Sequence, residues 1–113
     1  MHKNYTYTSV FNDLINGFIS SQRESGFLYD NPAYWLYRFD QYCVANEVKI
    51  SVITRDLFET WGARLESESK TTQSNRVQAL RKFSIYLTTL GMHSYHMYYP
   101  LKEWLRNTKY CSG

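Results

Sequence analysis

The segment from Thr71 to Gly91 constrains this chain most, because it reads as one helix with an apolar stripe and a basic, amide-rich opposite face. At about 100° per residue, Val77, Leu80, Phe83, Leu87 and Leu90 fall within one arc, and Thr71, Ser74, Asn75, Gln78, Arg81 and Lys82 fall on the other side. The arc predicts a buried face. The opposite face carries the side-chain types that contact phosphates and base edges in a major groove, crowded into the N-terminal half of the helix. A merely solvated helix face is the competing reading of the same pattern.

Three more helical segments precede it. The first starts near Ser9 as N-cap, carries Val10, Phe11, Leu14, Ile15 and Phe18 on one side, and ends before Gly26, which suits a left-handed C-terminal cap. The second opens at Pro32, whose missing N–H does no harm in a first turn, with Asp30 or Asn31 as cap. Its apolar arc is Trp35, Leu36, Phe39, Tyr42 and Cys43, while Tyr34, Tyr37, Arg38 and Gln41 project from the other side. The third follows Thr54 as cap, with Asp56 favourable to the helix dipole, and repeats Leu57, Phe58, Trp61 and Leu65 at helical spacing. Glu66 to Lys70 has no apolar anchor and reads as the connection into the fourth helix. Val48 to Ile53 is β-branched but has no partner run, so an extended connection is expected there. Beyond Gly91 the chain is aromatic and aperiodic, with Leu101, Trp104 and Leu105 hinting at a short fifth helical turn.

These elements predict an all-α chain of four helices. With 113 residues, 43% hydrophobic and 18% aromatic, there is enough apolar side chain for a core, and one domain is expected over residues 9–100, between an N-terminal tail (1–8) and a C-terminal tail or linker (101–113). The net charge of +3 is too small to attract phosphate by itself, so any such attraction has to come from local clustering. No apolar run approaches the roughly 20 residues of a membrane span, and no hydrophobic leader is present, so a cytoplasmic location and no membrane partner are expected.

The sequence offers little chemistry of its own. Cys43 and Cys111 do not make a disulfide framework, and His93 and His96 with a distant Cys111 fall short of a zinc ligand set. No phosphate-binding glycine loop, nucleophile elbow or metalloprotease helix occurs, and neither a cofactor nor a metal is expected.

The order of motifs resembles the N-terminal core-binding (SAM-like) domain of tyrosine recombinases and phage-type integrases. The resemblance runs through Phe18, the Gly26-Phe27-Leu28-Tyr29 junction, Leu36 to Cys43, Ile53 to Trp61, and Arg76 to Leu87 followed by Gly91, and so covers about Val10 to Pro100. It implies a compact four-helix bundle lying across one face of a DNA duplex, with helices two and four presented to the major groove. In that family a second domain carries the catalytic Arg, a His-x-x-Arg motif and a Tyr nucleophile. This chain has no His-x-x-Arg, so no residue takes a catalytic role, and the chain is not expected to be an enzyme by itself.

Carried over by position, the resemblance implies DNA contacts from Thr72, Asn75, Arg76, Gln78, Arg81 and Lys82 on helix four and from Tyr34, Arg38 and Gln41 on helix two. Lys70, just before helix four, is within reach of a phosphate. Phosphate contact is the favoured role of Arg81 and Lys82. Arg76 falls inside the apolar arc by angle, so it either contacts DNA or buries its stem and pairs with an acid. Asn75 and Gln78 either bond adenine edges or are only hydrated, and Tyr34 is either a phosphate contact or a ring at the rim of the core.

The function expected is DNA binding within site-specific recombination or DNA integration, in a mobile genetic element of bacterial or phage origin. The partners expected are double-stranded DNA, a catalytic domain in the parent chain and a recombinase oligomer on DNA. The alternative is a helical protein-interaction module that regulates a full-length recombinase.

Overall fold

In the computed structural model, the described residues are 5–25, 30–63 and 68–95. They form four helices and no strand: α1 (Asn12–Glu24), α2 (Asp30–Ala45), α3 (Arg55–Gly62) and α4 (Lys70–Thr89). The all-α class expected from the sequence is what the structure has. The chain divides into two compact units, Met1–Val52 and Ile53–Gly113. Each unit pairs helices adjacent in sequence, α1 with α2 and α3 with α4.

In the first unit, Phe11, Ile15, Leu36, Phe39 and Cys43 are fully buried, and the rings of Phe11 and Phe39 lie 5.5 Å apart. Phe18, Ile19 and Ala33 add to this core, while Val10, Leu14, Trp35 and Tyr42 are half-buried at its margins. Helix α1 begins later than the sequence suggests. Ser9 does not cap it; instead its Oγ accepts from Phe11 N–H (3.1 Å), and its carbonyl accepts from Asn12 (3.1 Å), forming a turn that leads into the helix. Pro32 sits in the first turn of α2, as expected. The cap roles of Gly26, Asp30 and Asn31 lie outside the residues whose side chains are described.

Residues 5–8 are not all tail. Tyr7 is buried and donates its hydroxyl to Ala33 O (3.1 Å), and Asp40 receives the next two backbone N–H groups, Thr8 at 3.0 Å and Ser9 at 2.9 Å. Asp40 is fully buried in the apolar arc of α2, so these bonds replace the water its carboxylate gives up. Burial, with the neighbouring Asp40 charge second, pushes the Cys43 thiol up to about 12 from its ordinary 9.0.

In the second unit, Thr54 caps α3, its hydroxyl accepting from Leu57 N–H at 3.0 Å. Phe58 and Trp61 are buried and Leu57 is half-buried; Leu65 lies outside the described residues. On α4, Val77, Leu80, Phe83 and Leu87 are fully buried as the stripe requires. Leu90 is not part of it. It is the C-cap residue and 51% exposed, because the helix has ended where a continuing turn would have brought it inward. The end is a left-handed one: Gly91 takes φ 81, its N–H bonds Thr88 O (3.0 Å), and Met92 N–H bonds Leu87 O (3.1 Å). Helix α2 ends the same way, with Glu47 at φ 54 and Val48 N–H on Cys43 O (3.0 Å), but without a glycine. Val48 to Ile53 is a connection without a strand, but it is bent rather than extended throughout: the chain turns at Ile50 and Ser51, where Val52 N–H bonds Ile50 O (2.8 Å), and Ile53 is fully buried.

Candidate nucleic-acid interface

Helix α4 starts one residue earlier than its sequence pattern suggests. Ser69 caps it by accepting from Thr72 N–H at 3.1 Å, so Lys70 is the first helical residue rather than part of the connection. The Ser69 hydroxyl also bonds the Thr72 hydroxyl (3.0 Å), which places half-buried Thr72 in the cap rather than on the open face.

The buried side of α4 is wider than the apolar stripe, because Gln73, Arg76, Ala79 and Ser84 share it. Gln73 is 2% exposed and donates to Gly62 O at 2.9 Å. Arg76 is 6% exposed and bonds Glu68 at 2.7 and 2.9 Å, Ala63 O at 3.0 Å and Trp61 O. Its guanidinium also lies over the Trp61 ring, 4.9 Å from the centroid. The two side chains of α4 thereby satisfy carbonyls left open at the C-terminal end of α3.

Arg76 therefore leaves the DNA-facing set. Of the two readings its angle allowed, the buried pair is the one observed: its donors are committed inside the unit, and only 7% of its side chain reaches the surface. No sequence rule named Glu68 as its partner, although an arginine inside an apolar arc signals that some acceptor has to be near.

The outward side of α4 holds the rest. Lys70, Asn75, Gln78 and Lys82 are exposed, and Arg81 is half-buried with its Nε shielded and without a hydrogen-bond partner. Thr71 and Ile85 share this side, Ile85 at 37% exposure. No acidic residue occurs between Lys70 and Thr89, and the described acid nearest to that stretch in sequence, Glu68, is held by Arg76. Among the described residues, Lys70, Arg81 and Lys82 make no ion pair.

The three candidates on α2 form a separate group in the first unit. Arg38 is exposed and donates from Nη1 to the Tyr34 hydroxyl at 2.9 Å, with its guanidinium 5.9 Å from that ring. Tyr34 is half-buried, so it is both at the rim of the core and open on one side. Gln41 is exposed and reaches back to Asp40 at 3.4 Å. The sequence pattern missed Tyr5, which packs on two of the α2 rings, Tyr34 at 6.1 Å and Tyr37 at 5.0 Å. Its only sequence signal is being one of eleven tyrosines.

Among the described residues, no helix is long and apolar enough to cross a membrane. His96 and Cys111 lie outside them. The class of the protein is thus an all-α chain with a cationic, acid-free helix face. In comparisons with known proteins, no family model, curated protein or solved structure matches this chain.

Proposed function

We propose that this chain binds duplex DNA through the outward face of α4, as the DNA-binding part of a site-specific tyrosine recombinase or integrase. The observation that carries the reading is the acid-free face bearing three cations with no ion-pair partner among the described residues, Lys70, Arg81 and Lys82. Surface cations are ordinarily interspersed with acids that offset them. A face that keeps only one sign favours a partner of the opposite sign, and a helix offers the shape that fits a major groove. Asn75 and Gln78 stand among the cations, where an amide bonds an adenine edge in two places at once. The recombinase role rests on the order of motifs in the sequence, and in that role a catalytic domain elsewhere in the parent protein does the strand chemistry.

The test is fluorescence anisotropy of a labelled duplex titrated across a salt series. Lys70→Ala with Lys82→Ala removes two fully outward cations and nothing from the core, so thermal stability is unchanged. The magnitude of the salt slope falls by about 2, one for each phosphate that is no longer neutralised. Gln78→Ala narrows discrimination among duplex sequences by about 1 to 3 kcal/mol if the amide reads a base. A double variant with the parent's affinity and slope removes α4 from the interface, and the helical protein-interaction module takes the place of this reading.

A further inference from the structure

The first unit carries an unbroken line of aromatic rings that duplex binding by α4 does not use. Tyr7 lies 6.4 Å from Tyr37, Tyr37 is stacked 5.0 Å from Tyr5 at 26°, Tyr5 lies 6.1 Å from Tyr34, and Tyr34 meets Trp35 edge-on at 5.0 Å. Tyr7 closes the line toward the core. Tyr5, Tyr34, Trp35 and Tyr37 are each half-buried, so each keeps part of its ring at the surface. Core packing alone does not explain them, because α2 already fills its core position with Leu36, Phe39 and Cys43.

Among the described side chains of α2, the charge at the surface is positive. Arg38 is the only charged side chain of α2 that is described at the surface, and it lies over the Tyr34 ring with its guanidinium bonded to the ring's hydroxyl. Asp40, two residues on, is fully buried with both oxygens occupied by the backbone N–H groups of Thr8 and Ser9. Its charge is turned inward. Partly open rings beside an outward guanidinium are the combination that binds unpaired nucleic acid: bases stack on the rings, and the cation takes the phosphate between them. A proline-rich peptide also docks on aromatic rings, but it has no phosphate for Arg38 to meet.

We infer that Tyr5, Tyr34, Tyr37 and Arg38 form a stacking shelf for the unpaired bases of single-stranded nucleic acid. This site is in the first unit and does not depend on the reading of α4. Stacking is worth about 1 to 3 kcal/mol per base, which is roughly a 5- to 150-fold change in affinity for each base removed.

The experiment compares three fluorescent probes on the full chain: a single-stranded oligothymidylate, an abasic strand of the same length, and a duplex. The two single strands carry the same phosphates, so only stacking separates them. The parent binds oligothymidylate at least 5-fold more tightly than the abasic strand, about the lower end of the stacking range for a single base. Tyr5→Leu with Tyr34→Leu keeps apolar bulk under the shelf, and it removes that preference while leaving the abasic strand, the duplex and the thermal midpoint as in the parent. Arg38→Gln weakens both single strands together and reduces their salt slope. Equal binding of the two single strands by the parent overturns the inference, as does an unchanged preference in the double leucine variant. Capture of a proline-rich peptide with no preference for oligothymidylate overturns it in favour of a peptide site. Loss of duplex binding in the Lys70→Ala/Lys82→Ala variant leaves this comparison untouched, so the two proposals fail separately.

Discussion

Arg76 offers the sharpest test of how the second unit is held together. Its side chain and that of Glu68 are each 7% exposed and meet at 2.7 Å, and the same guanidinium serves the carbonyls of Trp61 and Ala63 while stacking on the Trp61 ring. Arg76→Met keeps most of the stem's volume but takes the Arg76 cation from a buried carboxylate and the Arg76 donor from two carbonyls. Removing one member of a buried pair costs about 3 to 5 kcal/mol, because the remaining charge is then uncompensated. Against a typical total of about 5 to 15 kcal/mol, that is a large share of the stability. Glu68→Leu leaves the guanidinium its carbonyl partners but not its counter-charge, and it is also destabilising. The double variant replaces the pair by apolar groups, so it loses less than the two single losses added together. Urea unfolding followed by circular dichroism, run on the four proteins as a cycle, measures this directly. A loss below about 1 kcal/mol in Arg76→Met, or strictly additive losses, refutes the buried-pair account. A second readout separates structure from recognition: where the variant is folded, its duplex-binding salt slope equals the parent's, whereas an Arg76 on a phosphate requires a slope smaller by about 1.

The two left-handed helix ends respond in opposite directions. Gly91→Ala places a side chain at φ 81 with nothing within 4 Å to clash, so the loss of about 1 kcal/mol measures backbone strain alone, and Glu47→Gly, at φ 54, raises the thermal midpoint or leaves it unchanged. Stability falls with alkali through Cys43. Its folded pKa lies above its unfolded one, so its contribution is complete below about 9 and is lost as pH rises toward about 12, and Cys43→Ala flattens that part of a denaturation-against-pH curve. The same burial keeps Cys43 protonated and unreactive, so thiol labelling at that position waits for unfolding; prompt labelling of the native protein contradicts the placement of α2.

What the sequence determined by itself was local. The cap at Thr54, the first-turn Pro32, the α4 stripe of Val77, Leu80, Phe83 and Leu87, and the outward Asn75, Gln78 and Lys82 all follow from helical period and capping chemistry within a few residues. Buried polar groups were legible only as a demand for a partner. Asp40 in the apolar arc of α2 needed donors, but those donors are backbone N–H groups 31 and 32 residues earlier in the chain. Arg76 fitted either a groove or a core by angle, and the choice was made by Glu68, Trp61 and Ala63, which only the folded chain brings to it. Leu90 matched the period of the stripe but stands exposed because α4 has already ended. The line from Tyr7 to Trp35 has no period at all, since Tyr5 and Tyr7 come from the segment before α1 and the other rings from α2. Periodicity reports which side of a helix is apolar; which atoms meet there is decided by groups far apart in sequence, and tertiary structure alone brings them together.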